Sequence, residues 1–377
     1  MELRDITKEK DLKGKRVLLR LDLNVPLEDG KIANDFRIRK NGRVISYLHK
    51  VGARTVIIAH LGKDGRESLA PVASYLQKKY LHLEFLPTAV VGAEVIQKTK
   101  EMNDGDIIML DNLRKNPGEK ENDPGFAEDL SLLGDIYVNE AFAVSHREHA
   151  SIVRLPHCLP SYVGPVFLEE LEGLGKALAP TPPFYVVLGG AKISTKLPIV
   201  EKFIGVADNI FLYGALAHDV LYAKGYEIGD SLVDKGIDVS HIVDNKKIIL
   251  PIDVVVTNKK EGRSIKPIEE VSKGDIIFDE GPESILKIKN TLKEAATVLW
   301  NGPLGNFEAG FTQATEDAAM IISDLDAFSV VGGGDTIAAI QKLGLNEKFS
   351  FISTGGGAML EYLAKGTLAG IDALEGR

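Results

Sequence analysis

Cysteine is almost missing: Cys158 stands alone in 377 residues, so no intrachain disulfide can form and no cysteine-rich zinc cluster exists. A reducing compartment fits, and the cytoplasm is the expected location. Positive charge is short as well, with 45 Lys and Arg against 54 Asp and Glu and a net charge of −9, which counts against a dedicated nucleic-acid binder. Long apolar runs are lacking. The first residues, MELRDITKEKD, have no apolar signal-peptide core, and the uncharged stretch 155–168 is broken by three prolines and a glycine before it could span a bilayer. No membrane association is expected. Several familiar motifs are absent too: no G-x-x-x-x-G-K-[ST] loop, no G-x-S-x-G elbow and no H-E-x-x-H pair occurs. SVVGGGDTIAA lacks the third glycine of the dinucleotide fingerprint. His146 and His149 lie three apart, but no further ligand set completes a metal site with them.

What is present is an alternation of short β-branched runs with longer amphipathic segments. The runs are VLLRLDL (17–23), TVIIAH (55–60), DIIML (106–110), DIYVN (135–139), FYVVLG (184–189), NIFLY (209–213), PIDVVVT (251–257), TVLWN (297–301), FSVV (328–331) and FSFIST (349–354). Helical patterns lie between them, as at 39–50, 71–80 and 316–325. Continuous apolar strands alternating with helices predict parallel sheets covered on both faces. At about 150 residues per domain, this length predicts two or three domains. The division is expected near 155–184, where LPHCLPSYVGP and APTPPF flank the amphipathic FLEELEGLGKAL as connector, linking helix and second proline-rich stretch. The expected organisation is an N-terminal domain at 1–164, a linking helix and hinge at 165–180, and a C-terminal domain at 181–366.

Open parallel sheets bind ligands beyond the carboxyl ends of their strands. In the first half those positions hold Arg20, Asp22, Asn24, His60 and Lys63, with Arg37, Arg114 and Arg147 close behind. A convergent set of guanidinium groups is what recognition of phosphate or carboxylate oxygens requires. The second half offers different chemistry. Gly189 and Gly190 precede Lys192 and Lys196, spaced one helical turn apart. Asn301, Gly302, Pro303 and Glu308 follow another strand, and GGGDT and TGGG precede two helices. Glycines entering a helix let backbone N–H groups close on an anion, and Asp335 could serve Mg²⁺.

With these motifs in place, the chain resembles the phosphoglycerate kinase family over essentially its whole length, as a short and somewhat divergent member. RLDLNVPL with NDFRI, AHLGK, DNLR, NEAF with SHREHAS, LGGAKISTK, WNGPLGNFE, VVGGGDT and FISTGGGAMLEYL follow in the family's order. The resemblance implies an α/β fold of two doubly wound, Rossmann-like parallel-sheet domains facing a cleft, with a hinge, and a segment at 367–377 returning to the N-terminal domain. It implies reversible transfer of the acyl phosphate of 1,3-bisphosphoglycerate to ADP, giving 3-phosphoglycerate and ATP with Mg²⁺, by a monomer in glycolysis.

Carried onto matching positions, Asp22, Leu23, Asn24, Arg37, His60, Leu61, Gly62, Lys63, Arg114 and Arg147 would bind phosphoglycerate. Arg20 would point at the transferring phosphoryl group, with Lys192 and Lys196 neutralising charge. Gly333, Gly334, Gly355 and Gly356 would seat phosphates through their amides. Tyr213, Gly214, Asn301, Pro303 and Thr336 would line the nucleotide site, Glu308 would bind ribose, and Asp335 would serve the metal. Departures from the family pattern are Lys63 where Arg is usual after H-L-G, Glu140-Ala-Phe-Ala143, and Tyr213-Gly-Ala215 at a glycine-rich strand end. The Tyr213 ring would either turn inward onto the base or face away into the packing. Alternatives are a non-catalytic ligand-binding member of the fold or a kinase for a related small carboxylic acid. Joint retention of Arg20, Lys192, Lys196 and Asp335 argues for the enzyme.

Overall fold

The computed structural model describes residues 3–375 except 89, 235 and 261, so the last two residues of the expected returning segment lie outside the described residues. The chain divides into two units, Met1–Glu172 with Thr367–Arg377, and Gly173–Gly366. The division falls inside the helix Pro165–Leu178 rather than at either end of it.

In the first unit the strands are β1 (Arg16–Arg20), β2 (Leu27–Glu28), β3 (Lys31–Ile32), β4 (Arg54–Ile58), β5 (Leu83–Leu86), β6 (Ile107–Leu110), β7 (Ile136–Asn139) and β8 (Ser161–Val163). β2 and β3 form a small hairpin turned by Asp29 and Gly30, both at positive φ, the Asp-Gly chemistry that such tight turns require. The other six make one sheet in the order β5-β6-β4-β1-β7-β8, with every neighbouring pair parallel. Burial of β6 and β7 along their whole length explains the continuous apolar runs, since helices cover both faces. The helix Phe36–Lys50 buries Ile38, Asn41, Ile45 and Leu48, spaced three and four apart on one face, with Val44 beside them. β8 is a finding the sequence did not predict. The segment read as a proline-rich connector supplies an edge strand, where prolines are tolerated because one side needs no partner.

The second unit repeats the plan with β9 (Phe184–Leu188), β10 (Asn209–Leu212), β11 (Ile248–Ile249), β15 (Thr297–Asn301), β16 (Phe328–Gly332) and β17 (Phe351–Ile352). They form a six-stranded parallel sheet in the order β11-β10-β9-β15-β16-β17. One expectation is corrected here. PIDVVVT becomes β12 (Asp253–Asn258), which pairs antiparallel with β13 (Gly262–Pro267) and β14 (Asp275–Glu280) in a separate three-stranded sheet. β13 is charged and faces water, as only an antiparallel sheet readily allows.

Residues 367–375 pack in the first unit. Leu368 and Ile371 are buried there, and the Gly370 amide donates to the Ser145 carbonyl at 2.8 Å. A Cβ on Gly370 would stand 2.9 Å from Ser145 Cβ, so a bare backbone is needed for that approach.

Candidate functional site

The first unit gathers its cations where β1 and β4 end. Arg20 closes β1 and is wholly buried. Its Nε donates to Ser151 Oγ at 3.0 Å and its Nη1 to the Leu21 carbonyl at 2.6 Å. Ser151 in turn donates through Oγ at 2.7 Å and through its amide at 2.9 Å to the buried Glu119 carboxylate. Glu119 also faces Arg20 Nη2 at 4.0 Å and His149 Nδ1 at 3.8 Å. Neither Glu119 nor Ser151 was singled out from the sequence. Both lie in helical segments away from strand ends, where the rule that located the other candidates does not reach.

His60 follows β4 and is buried, its Nδ1 3.2 Å from Arg20 Nη2. Burial, reinforced by the charges of Arg20, Arg114 and Arg147, pushes its pKa well below the usual histidine value. The ring is therefore neutral. Because Arg20 can only donate, Nδ1 accepts and Nε2 holds the proton. Arg114 is buried, donates from Nη1 to the Gly62 carbonyl at 2.5 Å, and has its pKa lowered to about 10 by burial and by Arg20 and Arg147. A guanidinium destabilised by its neighbours is one that an anion would relieve.

Nearby, Arg37 Nη1 pairs with Asp22 Oδ2 at 2.9 Å, and Asn24 Oδ1 accepts the Gly62 amide at 2.9 Å. Leu23 and Leu61 are core side chains, so they offer a ligand only backbone. Lys63 and Arg147 are exposed. Thus Arg20, His60, Arg114 and Arg147 come together electrostatically, with Asp22, Asn24, Arg37 and Gly62 joined in an adjoining hydrogen-bonded network.

In the second unit the two lysines part company. Lys192 is exposed, whereas Lys196 is buried, donates to Asn301 Oδ1, and has its pKa lowered by burial to about 7. They flank a short 3₁₀ turn, Ile193–Thr195, and not one face of an α-helix as the spacing suggested. Gly333 at φ 103 and Gly356 at φ 53 stand immediately before the helices Gly334–Lys342 and Gly357–Lys365. Both conformations favour glycine and leave amides open at the positive end of a helix dipole. Thr336 is fully buried, and its hydroxyl accepts the Gly302 amide at 3.1 Å, tying two loops together.

A cavity of about 340 Å³ opens beside these groups, lined in part by Gly190, Gly214, Ala215, Pro303, Glu308 and Asp335. Asp335 lies in the first turn of its helix, and burial and the Glu308 charge raise its pKa. Tyr213 is not among the residues lining this cavity, and its inward-facing alternative is corrected. The ring is wholly buried, tilted against Phe211 at 5.9 Å, with its hydroxyl donating to the Ser284 carbonyl at 3.3 Å. Strand residues two apart share a face, and Phe211 already faces the core.

Over residues 6–366 the chain matches the family model for phosphoglycerate kinase. The chain belongs to the phosphoglycerate kinase family. Among curated relatives, the phosphoglycerate kinase of Rubrobacter xylanophilus is 40% identical, with 97% of each chain covered. That of Coprothermobacter proteolyticus is also 40% identical, with 99% of each covered. Among solved structures, phosphoglycerate kinase from Coxiella burnetii aligns with a TM-score of 0.84 at 34% identity, covering 99% of both chains. The enzyme from Pyrococcus horikoshii aligns at 0.86 and 31% identity, covering 99% of this chain and 98% of that one. Membership makes this chain a kinase, a phosphotransferase that acts on the carboxyl group of 3-phosphoglycerate with a nucleotide as co-substrate. Among the described residues no helix is long and apolar enough to cross a membrane.

Proposed function

We propose that the first unit holds 3-phosphoglycerate or 1,3-bisphosphoglycerate and the second holds ADP or ATP. The observation behind this is the buried group of Arg20, His60 and Arg114, with Glu119 as the carboxylate bound into it. Arg20, Arg114 and Arg147 bring together more positive charge than Glu119 balances, and that excess calls for an anion. Arg37, Arg114 and Arg147 would grip phosphate and carboxylate oxygens, and the His60 Nε2 proton would be donated to one of them. Arg20, fixed by Ser151 and Glu119, would stabilise the charge spread over the equatorial oxygens of the phosphoryl group in flight. Chemistry of this kind needs positioning and electrostatic stabilisation in line with the nucleotide, with no covalent enzyme intermediate.

In the second unit Lys196 and Lys192 would neutralise phosphate charge, with the amides at Gly333, Gly334, Gly355 and Gly356 seating the phosphates. No cluster of three His, Cys, Asp or Glu side chains suited to a metal exists among the described residues. That fits Mg²⁺, which is usually held by one or two carboxylates together with substrate phosphates rather than in a protein cage. Asp335, destabilised as a carboxylate by burial and Glu308, is the group to hold it. Mg²⁺ bound there would supply charge neutralisation on the phosphates. Glu308, exposed at the cavity wall, would take the ribose hydroxyls.

We further infer a monomeric, cytoplasmic enzyme. A coupled assay with 3-phosphoglycerate, ATP and Mg²⁺ tests the reading, and turnover lost on chelation and restored by Mg²⁺ is expected. Well-folded protein that fails to turn over under these conditions would overturn it. Sedimentation at working concentration checks the monomer.

A further inference from the structure

Glu140, one of the departures from the family pattern, has no part in the roles assigned above. It follows β7 and is buried. Its amide donates to the Arg20 carbonyl at 2.9 Å, so its backbone is laced to the end of β1. Its side chain reaches elsewhere. Oε1 accepts the Val166 amide at 3.0 Å and Oε2 the Phe167 amide at 3.1 Å, both in the first turn of the helix Pro165–Leu178. Pro165 has no N–H to offer, so one carboxyl holds the first two amides that this helix presents.

A helix is ordinarily capped by a serine, threonine, aspartate or asparagine just before its first turn. Gly164 stands there instead, and a Cβ on it would come within 2.2 Å of Glu140 Oε2. The glycine thus makes room for a cap that arrives from another strand end. A buried carboxyl is costlier to keep than a serine at the cap itself. What the long-range arrangement adds is a fixed link between the helix and the strand end that carries Arg20. Neighbouring contacts reinforce it. The Phe142 ring meets Phe167 edge-on at 5.4 Å. From the helix that carries Arg37, Arg43 Nη2 pairs with Glu169 at 2.6 Å and Lys40 Nζ with Glu170 at 3.2 Å. Beyond Glu172 the same helix continues into the second unit.

We propose that Glu140 is a positioning residue for phosphoryl transfer, fastening the linking helix to the end of β1 so that the helix leaves the first unit in a fixed relation to Arg20. The inference rests on the reading that Arg20 acts on the phosphoryl group and that the second unit brings the nucleotide. In-line transfer tolerates little misplacement of the groups around it. A loosened helix is therefore felt in the transition state, where both halves act together. Binding of each substrate to its own half depends on residues that Glu140 does not touch.

The experiment moves the cap while measuring kinetics and melting of the full chain. Glu140→Ala should lower the melting temperature and should lower kcat about tenfold or more, with KM for 3-phosphoglycerate and for ADP within about twofold of wild type. Adding Gly164→Ser gives the helix a cap of its own in the space the carboxyl has left, and should raise the melting temperature again. The low kcat should persist, because a local cap restores the helix and not its link to β1. Recovery of kcat along with melting temperature overturns the proposal and leaves Glu140 a cap alone. So does a loss that falls on KM with kcat unchanged. Glu140→Gln, with the same volume and a single acceptor oxygen, decides the matter if the alanine variant does not fold: kcat should fall several-fold at constant KM, and wild-type kcat overturns the proposal. Wild type that does not turn over, or Arg20→Ala with normal kcat, would instead bring down the reading on which the inference rests.

Discussion

Arg20 Nη2 lies 4.0 Å from Glu119 Oε1, and neither side chain has any exposure. Ser151 stands between them, accepting from Arg20 Nε and donating to Glu119. A guanidinium taken out of water in this way is expensive unless paired and hydrogen-bonded, and its direction is then fixed before any substrate arrives. Glu119 is thus a positioning residue, acting on the reaction through Arg20.

Arg20→Ala should lower kcat by roughly 10³ or more while the KM for 3-phosphoglycerate moves little, as expected of a group felt mainly in the transition state. Glu119→Gln keeps the volume and removes the charge. It should lower kcat by a smaller factor, again with little change in KM, and should also lower the melting temperature. Steady-state kinetics and thermal unfolding of the same preparations check both. Normal kcat in Arg20→Ala would remove Arg20 from the chemistry.

Lys196 gives a test in protons. Burial drops its pKa from an ordinary 10.5 to about 7, so above that pH the free protein holds a neutral amine. Phosphates beside it favour the ammonium form. Mg-ADP binding at about pH 8 should then draw nearly one proton from solution, visible in calorimetry as a dependence on buffer ionisation heat. Lys196→Met should abolish the uptake. The same shift has a stability consequence. Between about pH 10.5 and 7 the unfolded chain binds a proton at this lysine that the folded chain does not, so this group's contribution to stability falls as pH is lowered through that window.

Tyr213 is now expected to matter for stability alone. Tyr213→Phe keeps the ring and gives up the bond to the Ser284 carbonyl, costing about 1 kcal/mol in urea unfolding. Tyr213→Gly empties a core position and should cost about 3–5 kcal/mol. The KM for ADP in Tyr213→Phe should equal the wild-type value, and a clear change there would return the ring to the nucleotide.

Much of this was legible from residues following apolar runs. Arg20 and His60 stand at or just after parallel strands, and Lys196 in the loop that follows one, where the chain leaves the sheet and side chains become available to a ligand. Family motifs located the glycines before two helices equally well. What escaped was either supplied from elsewhere in the chain or governed by another geometry. Glu119 and Ser151 are distant in sequence from Arg20, and nothing local announces their pairing. Tyr213 could have been placed by its spacing of two from Phe211, a strand period that the family pattern obscured.

The packing of Gly370 against Ser145 bears on the order in which the protein is made. The second unit is one uninterrupted stretch of chain, whereas the first needs residues on either side of it. The second unit therefore has all its residues once the chain reaches 366, whereas the first still lacks its final strap. Ser145 lies two residues before Arg147, so the loop that presents this arginine gains its underpinning only after the nucleotide half has been synthesised. A released chain cut after residue 366 should still bind nucleotide while holding the acid more weakly.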